Sequence, residues 1–178
     1  EHLGMLGEDF FLVLNPDVYI DSQSISKMSC EMFSRKERLG TLSLYRDIHG
    51  LRVDNSIRCF PTLIVFLKSF LGLRNGYLVD QKKLKGWDVL DWASGAFLMF
   101  QSSLYLDLKG FNEHYFMYCE DIDICYRAKC QGDSLVYFAE AFGIHLAQFS
   151  SRRIFSRHFF WHIKGAFLFI LLKRMPLF

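Results

Sequence analysis

Short apolar runs alternate with polar segments along the first part of the chain. Residues 9–14 are almost continuously apolar and end at Asn15-Pro16, which predicts a buried strand that enters a turn. Residues 22–39 are polar and predict a surface helix with Ser24 as its cap, because three apolar residues recur there at helical spacing: Ile25, Met28 and Met32. Residues 41–45 predict a second short strand.

The same alternation continues to the end of the chain. Residues 61–71 predict a helix that begins at Pro61 and is apolar nearly all round. The remaining predicted segments are a basic loop at 72–86, an apolar strand at 88–100 interrupted by small residues, a short helix from Ser103, a helix from Glu120 to Gly132, and strands at 134–138 and 143–145. This order predicts an α/β fold with a mixed, mostly parallel sheet and flanking helices.

Composition narrows the class of protein. The chain has 178 residues, of which 51% are hydrophobic, so we expect one globular domain. It contains 19 Phe, and we expect part of this aromatic surface to face something apolar other than the core. A formal net charge of +2 gives no global field for binding nucleic acid. Five cysteines without paired CxxC spacing indicate neither a disulfide framework nor a structural zinc site, which fits a reducing compartment.

The C-terminal tail, residues 151–178, mixes cations with aromatic residues. This composition is typical of a helix on an anionic membrane surface, and equally of an amphipathic helix that packs on the domain's own core. Its longest stretch without charge, residues 165–172, is far shorter than the roughly 20 residues that span a bilayer. We therefore divide the chain into a main body, residues 1–150, and this tail, with both interpretations of the tail open.

Two acidic positions could carry chemistry. Asn15 and Asp17 follow the first buried strand, where both side chains of an extended segment would point to one side and could hold a divalent cation and a diphosphate. His145 follows the last strand and could be a second ligand. The ordinary alternatives are that Asn-Pro-Asp is only a turn sequence and that a lone His is structural.

Three carboxylates crowd together after an aromatic run, at Glu120, Asp121 and Asp123. Acids in a first helical turn complement the helix dipole, which is the ordinary interpretation. When a carboxyl is buried among aromatic side chains, however, its pKa rises. Asp121 could then deprotonate a hydroxyl, with Glu120 and Asp123 in supporting roles. The chain has no phosphate-binding GxxxxGK loop, GxGxxG or Ser-His-Asp pattern.

In order along the chain, LNPD, DWASGAFLMF, GFNEHYFMYCEDIDICYR and IHLAQFSS resemble the motifs of family 2 glycosyltransferases of the GT-A fold, and most of all the rhamnosyltransferase-like branch of O-antigen synthesis. The resemblance covers essentially the whole chain and implies a partial GT-A fold. It implies that Asp121 is the base of an inverting transfer, beside Glu120. It also implies that Asp17 and His145 hold a divalent metal (Mg or Mn), with Asn15 in place of the first acid of the metal motif. The donor and acceptor residues it implies are Asn15, Asp17, Trp92, Ser94, Gly95, Ala96, Asp123 and Arg127.

The same resemblance implies the partners. The expected donor is a nucleotide-activated deoxysugar such as dTDP-rhamnose, and the acceptor is a polyprenyl-diphosphate-linked saccharide. The expected location is cytoplasmic, peripheral at the inner face of the cell membrane, with the tail at the membrane surface.

One departure from the family pattern leaves the activity open. Only residues 1–7 precede the first strand, where family members carry a nucleotide-binding half. The alternative expectation is therefore a truncated, inactive remnant that only associates with membrane or with a complementary fragment. A metal-dependent phosphoester hydrolase is a more distant alternative, because it would need more ligands than Asp17 and His145.

Overall fold

The computed structural model describes residues 8–70, 73, 77–146 and 157–174. Part of the predicted basic loop, the end of the IHLAQFSS motif and both ends of the predicted tail lie outside these residues. The strands are β1 (Phe10–Leu14), β2 (Val18–Tyr19), β3 (Leu39–Tyr45), β4 (Ile57–Arg58), β5 (Val89–Leu90), β6 (Trp92–Ala93), β7 (Phe97–Gln101) and β8 (Leu135–His145). The helices are α1 (Ser22–Arg35), α2 (Leu63–Phe70), α3 (Ser102–Asp107), α4 (Glu120–Cys130) and α5 (Arg157–Arg174), and a short 3-10 turn covers Gln81–Lys83.

The central sheet is mixed, and the α/β fold class is confirmed. Its strand order is β1-β7-β3-β8-β2, with β5 also paired to β8. The longest ladder, β3 with β8, is parallel, whereas β1–β7, β3–β7, β2–β8 and β5–β8 pair antiparallel over shorter stretches. Strands β4 and β6 form a separate antiparallel pair. Strands β1 and β2 lie at opposite ends of this order, although only residues 15–17 separate them in the chain.

Both faces of the sheet are covered, as the apolar strands predict. On β7, Phe97 and Met99 pack with the buried methionines of α1, whereas Leu98 and Phe100 pack with residues of α4 and α5 on the other face. This alternation follows the two-residue period of a strand. The domain therefore has two apolar layers separated by one sheet.

Three local predictions need correction. Helix α1 is capped by Asp21 rather than Ser24, because the Asp21 carboxylate accepts hydrogen bonds from the N–H and hydroxyl of Ser24. The apolar segment 88–100 forms three strands, since the chain turns at residues 94–96 between β6 and β7. The two last predicted strands are one, β8, whose register against β3 shifts at a bulge after Leu42.

The predicted tail forms α5, and its inner side packs on the main body. Ala166 and Phe169 are buried in the same core cluster as α4. Gly165 lies against the backbone of Tyr118, so closely that a Cβ there would come within 2.8 Å of the Tyr118 carbonyl oxygen. Packing on the domain's own core, one of the two interpretations, thus describes the inner side of α5.

The other side of α5 is apolar and exposed. We use the name outer face for the exposed apolar residues of α5 and α2, which are between 37% and 63% exposed: Leu63, Ile64, Leu67, Phe160, Ile163, Phe167 and Leu171. Neither helix contains an acidic residue, while Lys68 and Lys164 are exposed. No helix within the described residues is long and apolar enough to cross a membrane.

Candidate active site

A pocket of about 200 Å³ lies between the start of α4, the β4–β6 pair and the helices α2 and α5. The ionisable residues that line it are Arg58, Glu120, Asp121 and His162. Pro61, Val65 and Phe66 supply an apolar wall. Typical pockets for whole small ligands measure roughly 300–1,000 Å³, so this one has room for only part of an extended substrate.

Asp121 lines the pocket at the first turn of α4. Its Oδ2 accepts a hydrogen bond from the backbone N–H of Gly95 at 3.2 Å, and its Oδ1 accepts one from the N–H of Ile122 at 2.8 Å. Burial raises the pKa of Asp121 above its usual value, although these hydrogen bonds and the positive charge of Arg58 oppose the rise. A carboxyl with a raised pKa is better matched to taking a proton from a hydroxyl than an ordinary Asp.

Glu120 precedes Asp121 and also lines the pocket. Its Oε2 atom is buried and has no hydrogen-bond partner among the described residues. Burial, and secondly the charge of Asp121, raises the pKa of Glu120. A buried acceptor without a partner is costly, so this oxygen is available to a ligand that brings a donor.

The backbone before α4 is strained. Tyr118 and Cys119 both have left-handed conformations, with φ of 71° and 69°, and Cys119 provides no side-chain cap. Left-handed non-glycine residues cost free energy and concentrate at functional sites. Glu120, Asp121 and Asp123 lie in the first turn of α4, where acids complement the helix dipole. This ordinary role is compatible with the place of Glu120 and Asp121 in the pocket wall.

Arg58 is a pocket residue that the sequence patterns did not single out. Its guanidinium lies over the rings of Trp92 and Tyr77, at 5.3 and 5.7 Å from their centroids. Its Nε donates to the carbonyl of Asn55 at 2.7 Å. It is near enough to two other ionisable groups of the pocket, Asp121 and His162, to shift the pKa of each.

His162 brings α5 into the pocket. Its ring contacts the rings of Phe66 and Tyr118, with centroids 6.3 and 5.4 Å apart. Burial, and secondly the charge of Arg58, lowers the pKa of His162, so its imidazole is neutral at neutral pH. The sequence placed this residue only among the cations of the tail, whereas the structure places it within the wall of the site.

A second polar cluster forms where the turn after β1 meets the end of β8. His145 Nε2 lies 3.4 Å from Asp17 Oδ1, and His145 Nδ1 lies 2.6 Å from Asp54 Oδ2. Asp54 is buried and also pairs with Arg46 at 2.9 Å. The structure therefore brings Asp17 and His145 together, as the sequence predicted, and adds Asp54, which no sequence pattern indicated.

The fit of this cluster to a divalent cation is partial. Within the described residues no group of three or more His, Cys, Asp or Glu side chains is placed to hold a metal. Asp54 on Nδ1 of His145 orients the other ring nitrogen, Nε2, toward Asp17, and a carboxylate behind a histidine in this way is a common feature of metal sites. By themselves these two side chains do not complete a coordination shell for a divalent cation.

Asn15 does not follow the extended geometry expected of it. Residues 16–17 form a turn, so Asn15 and Asp17 are not on one side of a strand. The Asn15 N–H donates to the carbonyl of Ala96 at 3.1 Å. The turn at 94–96 thus links Asn15 to the pocket, since the preceding residue, Gly95, donates to Asp121. A Cβ on Gly95 would meet the Cβ of Asp121 at an ordinary 3.8 Å, so this contact does not itself require glycine.

The remaining predicted site residues divide into two groups. Trp92 and Ser94 line the pocket, with the Trp92 indole donating to the Cys59 carbonyl at 2.9 Å. Asp123 and Arg127 do not line it: they form a buried ion pair at 2.7 Å on α4. Arg127 also donates to the carbonyls of Leu108 and Gly110, and so fastens α4 to the segment after α3. Those contacts satisfy both side chains without a substrate.

Comparison with known proteins gives relatives of one kind. No protein-family model matches the chain. The chain is 34% identical over 168 residues to the rhamnosyltransferase WbbL of Escherichia coli (strain K12), a match that covers 94% of the chain and 64% of the relative. It is 33% identical over 171 residues to the N-acetylglucosaminyl-diphospho-decaprenol L-rhamnosyltransferase of Mycobacterium tuberculosis, which covers 92% and 55%.

A third relative is more distant. The low-salt glycan biosynthesis hexosyltransferase Agl10 of Haloferax volcanii is 30% identical over 128 residues, covering 71% of the chain and 39% of that protein. The chain therefore spans between about two fifths and just under two thirds of the length of these relatives.

Proposed function

The chain belongs to the glycosyltransferases of family 2 type, and from that premise we propose that it carries the catalytic and acceptor side of an enzyme that transfers a rhamnosyl group in the synthesis of a surface glycan such as O-antigen. The observation that carries the proposal is the position of Asp121. Its carboxyl lines a pocket, is fixed by two backbone hydrogen bonds, and has a pKa raised by burial.

The proposed reaction is one inverting displacement. The ionised carboxylate of Asp121 takes the proton of an acceptor hydroxyl, the oxygen forms a bond to the anomeric carbon, and the bond from that carbon to the donor phosphate breaks. The nucleoside diphosphate leaves with the bonding electron pair. Fixed backbone donors keep Asp121 in place, so that little reorganisation accompanies proton transfer.

We assign the donor diphosphate to the cluster of Asp17 and His145, with Asn15 beside it. If a divalent cation binds there, it supplies charge neutralisation for the departing diphosphate. Asp54 holds the imidazole of His145 in one orientation. The hydrogen bonds that join residues 95–96 to Asp121 and to Asn15 support a common site, because they connect the donor cluster to the base.

A donor assay tests the proposed reaction. The natural polypeptide that contains this chain is incubated with radiolabelled dTDP-rhamnose, or with UDP-glucose as the matched alternative donor, and a prenyl-diphosphate-linked N-acetylglucosamine acceptor. The expected result is rhamnosyl transfer with inversion at the anomeric carbon, measured by NMR of the product. Retention would refute the single displacement, and hydrolysis of donor without transfer would refute the transferase assignment.

The proposed location is the inner surface of the cytoplasmic membrane. The outer face of α2 and α5 supports it, because exposed apolar residues there accompany Lys68 and Lys164 and no acid lies on either helix. The positive charges of Lys68 and Lys164 favour an anionic bilayer. A lipid-linked acceptor would be held at the surface of that bilayer.

Vesicle flotation tests the location. The wild-type chain is expected to float with vesicles containing anionic phospholipid and to be released by high salt, since electrostatic attraction is screened. Replacing the exposed Phe160 and Phe167 by Ser should abolish flotation. Replacing Leu51 by Ser, at an exposed position outside the outer face, should leave flotation unchanged. Equal flotation of both variants, or dimerisation through this face, would contradict the membrane assignment.

A further inference from the structure

We propose that the pocket beside Asp121 binds the diphosphate end of a phosphorylated isoprenoid, with the Arg58 guanidinium as the phosphate ligand and the apolar side of α2 as the wall for the first isoprene units. This inference rests on the proposed function, because it names the part of the lipid-linked acceptor that this site would hold. It assigns a substrate-binding role to Arg58, which the motifs leave without one.

The guanidinium of Arg58 is held in place and still has N–H groups available to a ligand. Its Nε donates to a backbone carbonyl, and its central carbon lies over the rings of Trp92 and Tyr77. Among the described residues its two terminal nitrogens make neither a hydrogen bond nor an ion pair. A planar fork with two free amino groups is the geometry that binds phosphate oxygens in pairs.

The carboxylates of the pocket leave room for a substrate. Asp121 and Glu120 share the pocket with Arg58, yet neither forms an ion pair with it within 4.0 Å. A cation and two acids that face one cavity without pairing suit a ligand with both an anionic group and hydroxyls. The phosphate would meet Arg58, and a sugar hydroxyl would meet Asp121 and the unpartnered Oε2 of Glu120.

The third wall matches the third part of such a ligand. Pro61, Val65 and Phe66 line the pocket, while Leu63, Ile64 and Leu67 of the same helix are exposed on the outer face. An isoprenoid that leaves the pocket along α2 therefore continues on apolar surface. The apolar wall continues onto exposed apolar residues, which suits a long isoprenoid better than the compact base of a sugar nucleotide and favours the acceptor over the donor as the source of the phosphate.

Binding measurements on the chain itself test the inference without requiring turnover. Farnesyl diphosphate is titrated by calorimetry below its micelle concentration, with farnesol, inorganic pyrophosphate and dTDP as separate probes. We expect saturable binding of farnesyl diphosphate. The probes without a phosphate or without an isoprenoid should bind at least tenfold more weakly, because each contacts only one wall.

Substitution of Arg58 then isolates the phosphate contact. Arg58→Gln should weaken farnesyl diphosphate binding by about ten- to a hundredfold, the range for losing a charge-assisted hydrogen-bonded pair. Arg58→Lys should recover part of the loss, since it keeps the charge but not the fork. The matched control is Arg52→Gln, at an exposed residue outside the pocket. Thermal unfolding of each variant shows whether it is folded, and broadening of the ³¹P signals by wild-type chain checks the contact independently.

Each outcome decides the inference. No binding of farnesyl diphosphate by the wild-type chain, or equal binding by Arg58→Gln, overturns it. A comparable loss of dTDP binding in Arg58→Gln would assign the guanidinium to the donor instead and also overturns it. Failure of the proposed function is a separate result, because it would be seen as absent rhamnosyl transfer in the donor assay even where farnesyl diphosphate binds through Arg58.

Discussion

Replacing Gly165 by alanine tests whether α5 packs against the strained turn beside the active site. An added Cβ would lie 2.8 Å from the Tyr118 carbonyl oxygen and 3.3 Å from the Cys119 sulfur. Ordinary carbon contacts begin near 3.4 Å, so α5 would have to shift by about 0.6 Å, the difference between 3.4 and 2.8. Overpacking of this kind costs about 1–3 kcal/mol.

Helix propensity acts in the opposite direction. Alanine in place of a mid-helix glycine stabilises a helix by about 0.8–1.0 kcal/mol. The expected net effect of Gly165→Ala is a loss of about 1 kcal/mol, or roughly 2–4 °C in the unfolding midpoint for a domain of this size. Gly165→Val should cost more, because it adds two methyl groups and has a lower helix propensity.

Thermal and urea unfolding, followed by far-UV circular dichroism, measure this effect. The matched control is Gly95→Ala, at which a new Cβ meets only an ordinary 3.8 Å contact, and which should be neutral or slightly stabilising. The Trp161 ring lies near Phe116, with centroids 4.8 Å apart, so its fluorescence reports movement of α5. A rise in stability for Gly165→Ala would mean that propensity alone decides and would refute the packing of α5 against Tyr118.

Three further results are expected. In the natural polypeptide, the acid limb of the pH profile of kcat/KM should lie above the ordinary Asp pKa of about 3.9, because burial raises the pKa of Asp121; a limb at or below that value would remove Asp121 as base. Because burial lowers the pKa of His162, the unfolded chain takes up this proton first, so the free energy of unfolding should fall as the pH drops below about 6.5. His162→Gln should flatten that dependence in urea titrations, and an unaltered slope would contradict it. Arg127→Met strands the buried carboxylate of Asp123 and should cost about 3–5 kcal/mol by urea unfolding; a cost below about 1 kcal/mol would show that the pair is not structural.

Much of the fold follows from local pattern. The apolar run at β1, the helical spacing in α1 and the acidic start of α4 gave elements close to the observed ones. The errors lie where tertiary contacts decide. The turn that separates β6 from β7 depends on Ser94 donating to Ser56 on another segment, and residues 135–145 remain one strand because β3 pairs along them through a bulge.

The site was only partly predictable for the same reason. Glu120, Asp121, Asp17 and His145 stand out by residue type and by motif order. Arg58 lies in a two-residue strand, and Asp54 is separated from His145 by 91 positions, so neither has a local signal. Asp123 and Arg127 show the reverse case: their four-residue spacing on α4 lets them pair with each other, and Arg127 also donates to nearby carbonyls.

The central claim is that Asp121 acts as the base of a glycosyl transfer in the pocket between α4, α2 and α5. The most direct measurement compares wild type with Asp121→Asn, in the natural polypeptide, for both rhamnosyl transfer from dTDP-rhamnose and binding of that donor. Loss of a general base predicts a fall in kcat of about 10²–10⁴ with nearly unchanged donor affinity. Turnover by Asp121→Asn within a few-fold of wild type would contradict the claim.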